Sequence, residues 1–143
     1  MYSYEANLVE DFLVQLTKPQ NAFRVDDFAV EFNYQSGRTD IVGKSNDGEI
    51  IAFEAKLNRW QKALNQAYRN TSFSHYSYVL LPEKAAKSAM KYADEFKRRS
   101  VGLCSMHGSS IRVEIMAVKN KPLQPWLTES ASSYISMEPD VDK

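Results

Sequence analysis

The sequence is short of the residues that staple a fold or hold it in a membrane. It has one cysteine, Cys104, and two histidines, His75 and His107. A lone thiol excludes an intramolecular disulfide and a zinc site built on cysteines. The histidines stand far apart with no metal-ligand companion, so surface or loop roles are expected for both. Cys104 reads as a core thiol in a strand. No stretch approaches the ~18 apolar residues of a membrane span. The opening residues, MYSYEANLVEDF, carry acids where a secretory leader needs positive charge and then an apolar block. A cytoplasmic location without membrane contact is expected.

What is present is enough apolar residue for one core, and an uneven charge. The 143 residues are 43% hydrophobic and fit one domain. Formal net charge is zero, but residues 1–37 hold two basic and six acidic side chains, residues 38–112 thirteen and seven, and residues 113–143 three and five. A basic middle between acidic ends suits a polyanionic partner; an ordinary solvated surface accounts for it equally well.

Periodicity places the elements. Residues 3–17 read as a helix, with Leu8, Val9, Phe12, Leu13 and Leu16 on one face and Pro19 beyond its end. Glu5 falls on that apolar face, where the helix dipole alone would favour it. Residues 28–34 alternate, with Phe28, Val30, Phe32 and Tyr34 on one buried side. A Ser36-Gly37 turn, a strand over 38–43, the Asn46-Asp47-Gly48 hairpin and a strand over 49–57 complete an antiparallel meander. A helix over 59–70 turns Trp60, Ala63, Leu64 and Ala67 inward. A strand over 76–81 stops at Pro82. A helix over 83–98 buries Ala86, Ala89, Met90, Ala93 and Phe96, and strands over 101–105 and 111–118 follow. Beyond these, prolines and serines without a period predict an extended C-terminal tail over 119–143, anchored by Trp126 and Leu127, after a domain spanning 1–118. The expected class is α/β, a mixed central sheet (the meander plus later strands) flanked by helices.

Within GRTDIVGKSNDGEIIAFEAKL, residues 37–57, an apolar strand ends in two charges, Glu54 and Lys56. Isolated buried charges cost several kcal/mol unless paired or bound. Alternation puts Ile51, Phe53, Ala55 and Leu57 on one face and turns Glu54 and Lys56 outward together. Counting from the hairpin makes Asp40 a cross-strand neighbour of Glu54, about 5 Å away. Two carboxylates that close repel, and a divalent cation such as Mg²⁺ removes the repulsion. Lys56 beside it can orient a water or neutralise developing charge. The other acid-x-lysine triplet, Glu95-Phe-Lys97, has no partner carboxylate and reads as surface.

The pattern Asp40…Glu54-Ala-Lys56, in this order of elements over about residues 3–118, resembles the PD-(D/E)XK nuclease superfamily, the restriction-endonuclease-like fold. The resemblance implies metal binding by Asp40 and Glu54, a catalytic role for Lys56, and Mg²⁺ or Mn²⁺ as cofactor. It implies a further acid on the first helix, matched by Glu5, with Glu10 as the alternative for a rotated helix. It also implies a polar residue on the helix after the lysine, matched by Gln66. Thr39 departs from the motif where its name has Pro, and the helix lacks a Gln-x-x-x-Tyr. The expected function is a metal-dependent endonuclease hydrolysing DNA phosphodiester bonds through Asp40, Glu54, Lys56 and Glu5. The alternative is a nucleic-acid-binding module or an accessory subunit of a larger DNA-processing complex, docked on a partner protein through the C-terminal tail. Arg38, Arg59, Lys62, Gln66 and Arg69 are the expected DNA contacts, with a plain solvated face as the alternative for the basic ones. A homodimer that sets two sites on two strands is a further expectation.

Overall fold

Alternation along each strand divides the apolar residues between the two faces of one sheet, and helices cover both. The computed structural model describes residues 2–35 and 37–137. In chain order these form α1 (Glu5–Leu16), β1 (Val25–Tyr34), β2 (Gly37–Ser45), β3 (Ile50–Ala55), α2 (Trp60–Asn70), β4 (Tyr76–Pro82), α3 (Glu83–Met90), α4 (Ala93–Arg98), β5 (Gly102–His107), β6 (Ser110–Ile115) and α5 (Pro125–Met137). The sheet is six-stranded in the order β1-β2-β3-β4-β5-β6. The meander β1–β2–β3 is antiparallel, β3, β4 and β5 are parallel, and β6 returns antiparallel. The α/β class read from periodicity holds. Among the described residues no helix is long and apolar enough to cross a membrane.

On one face α1 lays Leu8, Phe12 and Leu16 against Ile51, Phe53, Ala55, Tyr78, Leu80 and Cys104. On the other, α2, α3 and α4 cover Val79, Leu81 and Leu103, while α5 covers Val42, Ile50 and Ala52. The crossovers β3–α2–β4 and β4–α3–α4–β5 thus share a face. All residues of β3 are buried, as a parallel strand covered on both sides must be. Gly102 is required where β4, β5 and the chain after β6 meet: a Cβ there would lie 2.4 Å from the Tyr78 ring and 2.6 Å from the Ala117 nitrogen.

Four expectations are corrected. Along β1, Glu31 adopts a left-handed backbone (φ 57°), so the strand does not keep one buried side. Phe28 and Val30 pack towards α1, whereas Phe32 and Tyr34 join the cluster under α5. The helix over 83–98 is two helices, broken at Lys91–Tyr92, and Met90 is exposed. The last strand ends at Ile115. The extended tail is instead a helix: Pro125 occupies its first position, and Leu127, Ala131, Tyr134 and Ile135 pack on the sheet. The Thr128 hydroxyl donates to the Phe73 carbonyl (2.7 Å) and the Tyr134 hydroxyl to that of Val30 (2.6 Å). Ser36 of the expected turn, and 138–143 of the expected tail, lie outside the described residues.

Candidate functional site

The last paired residues of β2 and β3 are Ile41 and Phe53. One step further the two strands part, while β3 stays paired to β4 through the Lys56 N–H and the Leu80 carbonyl (3.1 Å). Asp40 and Glu54 stand at this fork. The Asp40 Oδ2 accepts the Ala55 N–H (2.9 Å), replacing the backbone partner that β2 no longer offers. The Glu54 Oε2 accepts a hydrogen bond from the Asn70 amide nitrogen (2.8 Å).

Glu54 does not face outward as alternation suggested; it is 1% exposed, because the α2 crossover covers its face of the sheet. Burial and the neighbouring Asp40 carboxylate push its pKa from the usual 4.5 up to about 8, while Asn70 and Arg69 pull the other way. The acidic pair is therefore close, as the strand register predicts, and below about pH 8 the Glu54 carboxyl keeps its proton beside Asp40.

Lys56 is half-buried, and its ion-pair partner is Glu5 on α1 (3.8 Å) rather than Asp40 or Glu54. Arg69 reaches this region: its charge acts on Glu54 and on the Tyr34 phenol. Gln66, one turn before Asn70, has a buried Oε1 with no partner among the described residues. Three other expected DNA contacts are exposed. Arg38 pairs with Glu31 across exposed β1–β2 (4.0 Å), and Arg59 and Lys62 are exposed at the start of α2. Arg59, like Glu31, is left-handed (φ 57°).

Asn70 was not among the expected site residues, yet it organises the fork. Its Oδ1 accepts the Tyr34 and Thr39 hydroxyls, both at 2.8 Å, while its nitrogen holds Glu54. A signal existed: Ala63, Ala67 and Asn70 lie on one buried stripe of α2, so a polar residue continues an apolar row. Thr39, where the motif differs from its name, is fully buried and serves this network.

Among the described residues no three His, Cys, Asp or Glu side chains form a ready metal cage. The fork offers two carboxylates, each with one oxygen anchored. Such a donor set suits a hard cation that fills the rest of its shell with water and phosphate oxygens.

His75 lies in the loop between α2 and β4, in keeping with the expected loop role, whereas His107 ends β5. The His75 Nδ1 accepts the Ile50 N–H (2.9 Å) and ties down the start of β3. The His107 Nδ1 lies 3.3 Å from Glu83, and its Nε2 lies 2.8 Å from the Ser105 hydroxyl. That order imitates a nucleophilic relay, but Ser105 is fully buried and its hydroxyl donates to the Glu114 carboxylate (2.9 Å). No substrate reaches it, and its proton points away from the imidazole. Cys104 is a core thiol, as expected, with burial raising its pKa.

No family model and no curated protein matches the sequence. Among solved structures, a protein of unknown function from Silicibacter pomeroyi is similar over 76% of this chain and 70% of its own, with TM-score 0.59 and 16% identity. A repair endonuclease from Pyrococcus abyssi is similar over 65% of this chain and 46% of its own (TM-score 0.39, 20% identity). SfsA from Pyrococcus furiosus, solved in complex with Ca²⁺, is similar over 80% of this chain and 61% of its own (TM-score 0.39, 12% identity). The chain thus spans less than two thirds of either Pyrococcus protein. The first likeness is one of fold, and the other two are looser and carry no weight for chemistry.

Proposed function

We propose that this chain is a metal-dependent nuclease of the PD-(D/E)XK kind that hydrolyses DNA phosphodiester bonds. The observation that carries the reading is the meeting of Asp40 with a buried Glu54 where β2 and β3 part. A carboxyl whose charge is suppressed by burial and by a neighbouring acid makes sense when a cation replaces its proton. Asp40 and Glu54 would hold Mg²⁺ or Mn²⁺, which supplies an acidified water and charge stabilisation at phosphorus.

The chain's own residues do the rest. The Ala55 N–H and the Asn70 amide fix which carboxylate oxygens face the substrate. Glu5 holds the Lys56 ammonium at the end of β3, where it can orient the attacking water or meet negative charge on the phosphate. Arg69 adds a second cation next to Glu54.

The test is cleavage of labelled single-stranded, duplex, nicked, flapped and four-way-junction DNA with Mg²⁺, Mn²⁺ or EDTA, by the wild type and Lys56→Ala. Metal-dependent cutting that disappears in Lys56→Ala, with folding and DNA binding retained, is the expected result. Unfolding of Lys56→Ala, or full activity in it, overturns the assignment of Lys56. A pure wild type that binds DNA and never cuts favours a binding module or accessory subunit instead.

A further inference from the structure

Beside the fork, at the C-terminal ends of the parallel strands, the surface opens into a cleft of about 1300 Å³. Asp40, Glu54 and Lys56 do not line it, so it is a neighbour of the candidate site and not the site itself. Leu57 and Asn58, which follow Lys56, form part of its wall, with Met106 of β5 and Lys84 and Lys87 of α3.

Lys84, Lys87 and Lys91 recur at helical spacing along α3 and just past its end, and all three are exposed. None of them is ion-paired among the described residues, whereas Arg98 and Arg99 share Glu95. Glu83, one turn before Lys87, turns instead to the His107 Nδ1. Three lysines against the single carboxylate of Glu83 leave the stripe with a net positive charge.

The helix breaks where this stripe ends. Tyr92 leaves helical geometry (φ −118°, ψ 31°). Its ring lies on Trp60 with centroids 4.9 Å apart and planes 26° apart. Trp60 in turn rests on the fully buried Phe96, at 5.7 Å. Three rings thus lead from the core to the surface, and the outermost, Tyr92, is 52% exposed. Trp60 is two residues along the chain from Asn58 in the cleft wall. An exposed ring that is braced from behind and set at the end of a cationic stripe suits a nucleobase, with phosphates along the lysines. A duplex keeps its base faces hidden in the stack, so the feature suits an unpaired strand.

We propose that this surface binds an unpaired single strand of nucleic acid, with phosphates on Lys84, Lys87 and Lys91 and a base stacked on Tyr92. It deepens the nuclease reading by naming its substrate class, and rests on that reading to this extent. The test is therefore binding in EDTA, which neither needs nor reports cutting.

Fluorescence anisotropy of the full chain would be read with a labelled oligothymidylate and a duplex of equal length. Tyr92→Ala is expected to weaken single-strand binding about five- to a hundredfold and leave duplex binding within about twofold. Tyr92→Phe keeps the wild-type affinity. The combined Lys84→Gln, Lys87→Gln, Lys91→Gln variant lowers the slope of log affinity against log salt by about 2. Single-strand binding by Tyr92→Ala within about twofold of wild type, or parallel loss of both ligands, overturns the proposal. Should Tyr92→Ala unfold, the lysine variant decides, and an unchanged salt slope overturns it. Cutting by an enzyme whose binding ignores Tyr92 defeats this proposal and leaves the nuclease. Tyr92-dependent binding without cutting does the reverse.

Discussion

The Asn70 amide nitrogen donates to the Glu54 Oε2 across 2.8 Å, and both residues are 1% exposed. The other end of the same amide accepts two hydroxyls, from Tyr34 and Thr39. Both lone pairs of the carbonyl are thus occupied, and the amide has one orientation that serves all three partners. Helix α2 is pinned by it to β1, β2 and β3 at the point where the carboxylates meet.

Asn70→Ala leaves two buried polar groups, on Thr39 and Glu54, and the half-buried Tyr34 hydroxyl without their partner. A loss of about 1–3 kcal/mol is expected, read as a shift in the urea midpoint. Asn70→Asp places a second carboxylate against Glu54 and is expected to cost more. An unchanged midpoint in Asn70→Ala would show that the network adds nothing to stability.

The raised pKa of Glu54 has a definite sign in stability. Its folded value, about 8, lies above the ordinary 4.5, so the fold favours the neutral carboxyl. That contribution is complete below about pH 4.5 and is lost as pH rises through about 8. The metal-free wild type should therefore lose stability from pH 5 to 8 relative to Glu54→Gln, in which the group cannot ionise; His75 is common to both proteins and drops out. A cation at the fork must displace the Glu54 proton, so Mn²⁺ affinity should rise with pH, by up to about tenfold per unit below pH 8. Calorimetry at pH 6 and 8 checks this, and an affinity indifferent to pH would remove Glu54 from the ligand set.

Truncation after Gln124 uncovers Phe32, Val42, Ile50 and Phe73, which α5 covers. The shortened chain is expected to lose its cooperative melt or to precipitate, because a buried apolar cluster becomes exposed surface. A truncated chain with a native circular-dichroism spectrum and an unchanged melting temperature would show that α5 is dispensable to the fold.

The elements were legible wherever the signal was local. The meander, the hairpin at Asn46–Gly48 and helices α1 and α2 follow from apolar spacing and turn chemistry over a few residues. Helix α5 escaped because its inward stripe is only Leu127, Ala131, Tyr134 and Ile135, set among serines that give little period. The break at Tyr92 escaped because ring stacking on Trp60, far away in the chain, is no property of the local sequence.

By itself the sequence determined the α/β class, the hairpin register that sets Asp40 opposite Glu54, and the Glu54-Ala-Lys56 strand end. These are matters of periodicity two and of turn geometry, which neighbouring residues settle. Tertiary structure alone decided that Glu54 is buried, that Lys56 pairs with Glu5, and that Asn70 joins Tyr34, Thr39 and Glu54. Those contacts span 16 residues from Asn70 to Glu54 and 36 from Tyr34 to Asn70. They exist because crossovers between parallel strands lay α2 over one face and α1 over the other, and where a helix lands on a sheet is set by packing the whole core.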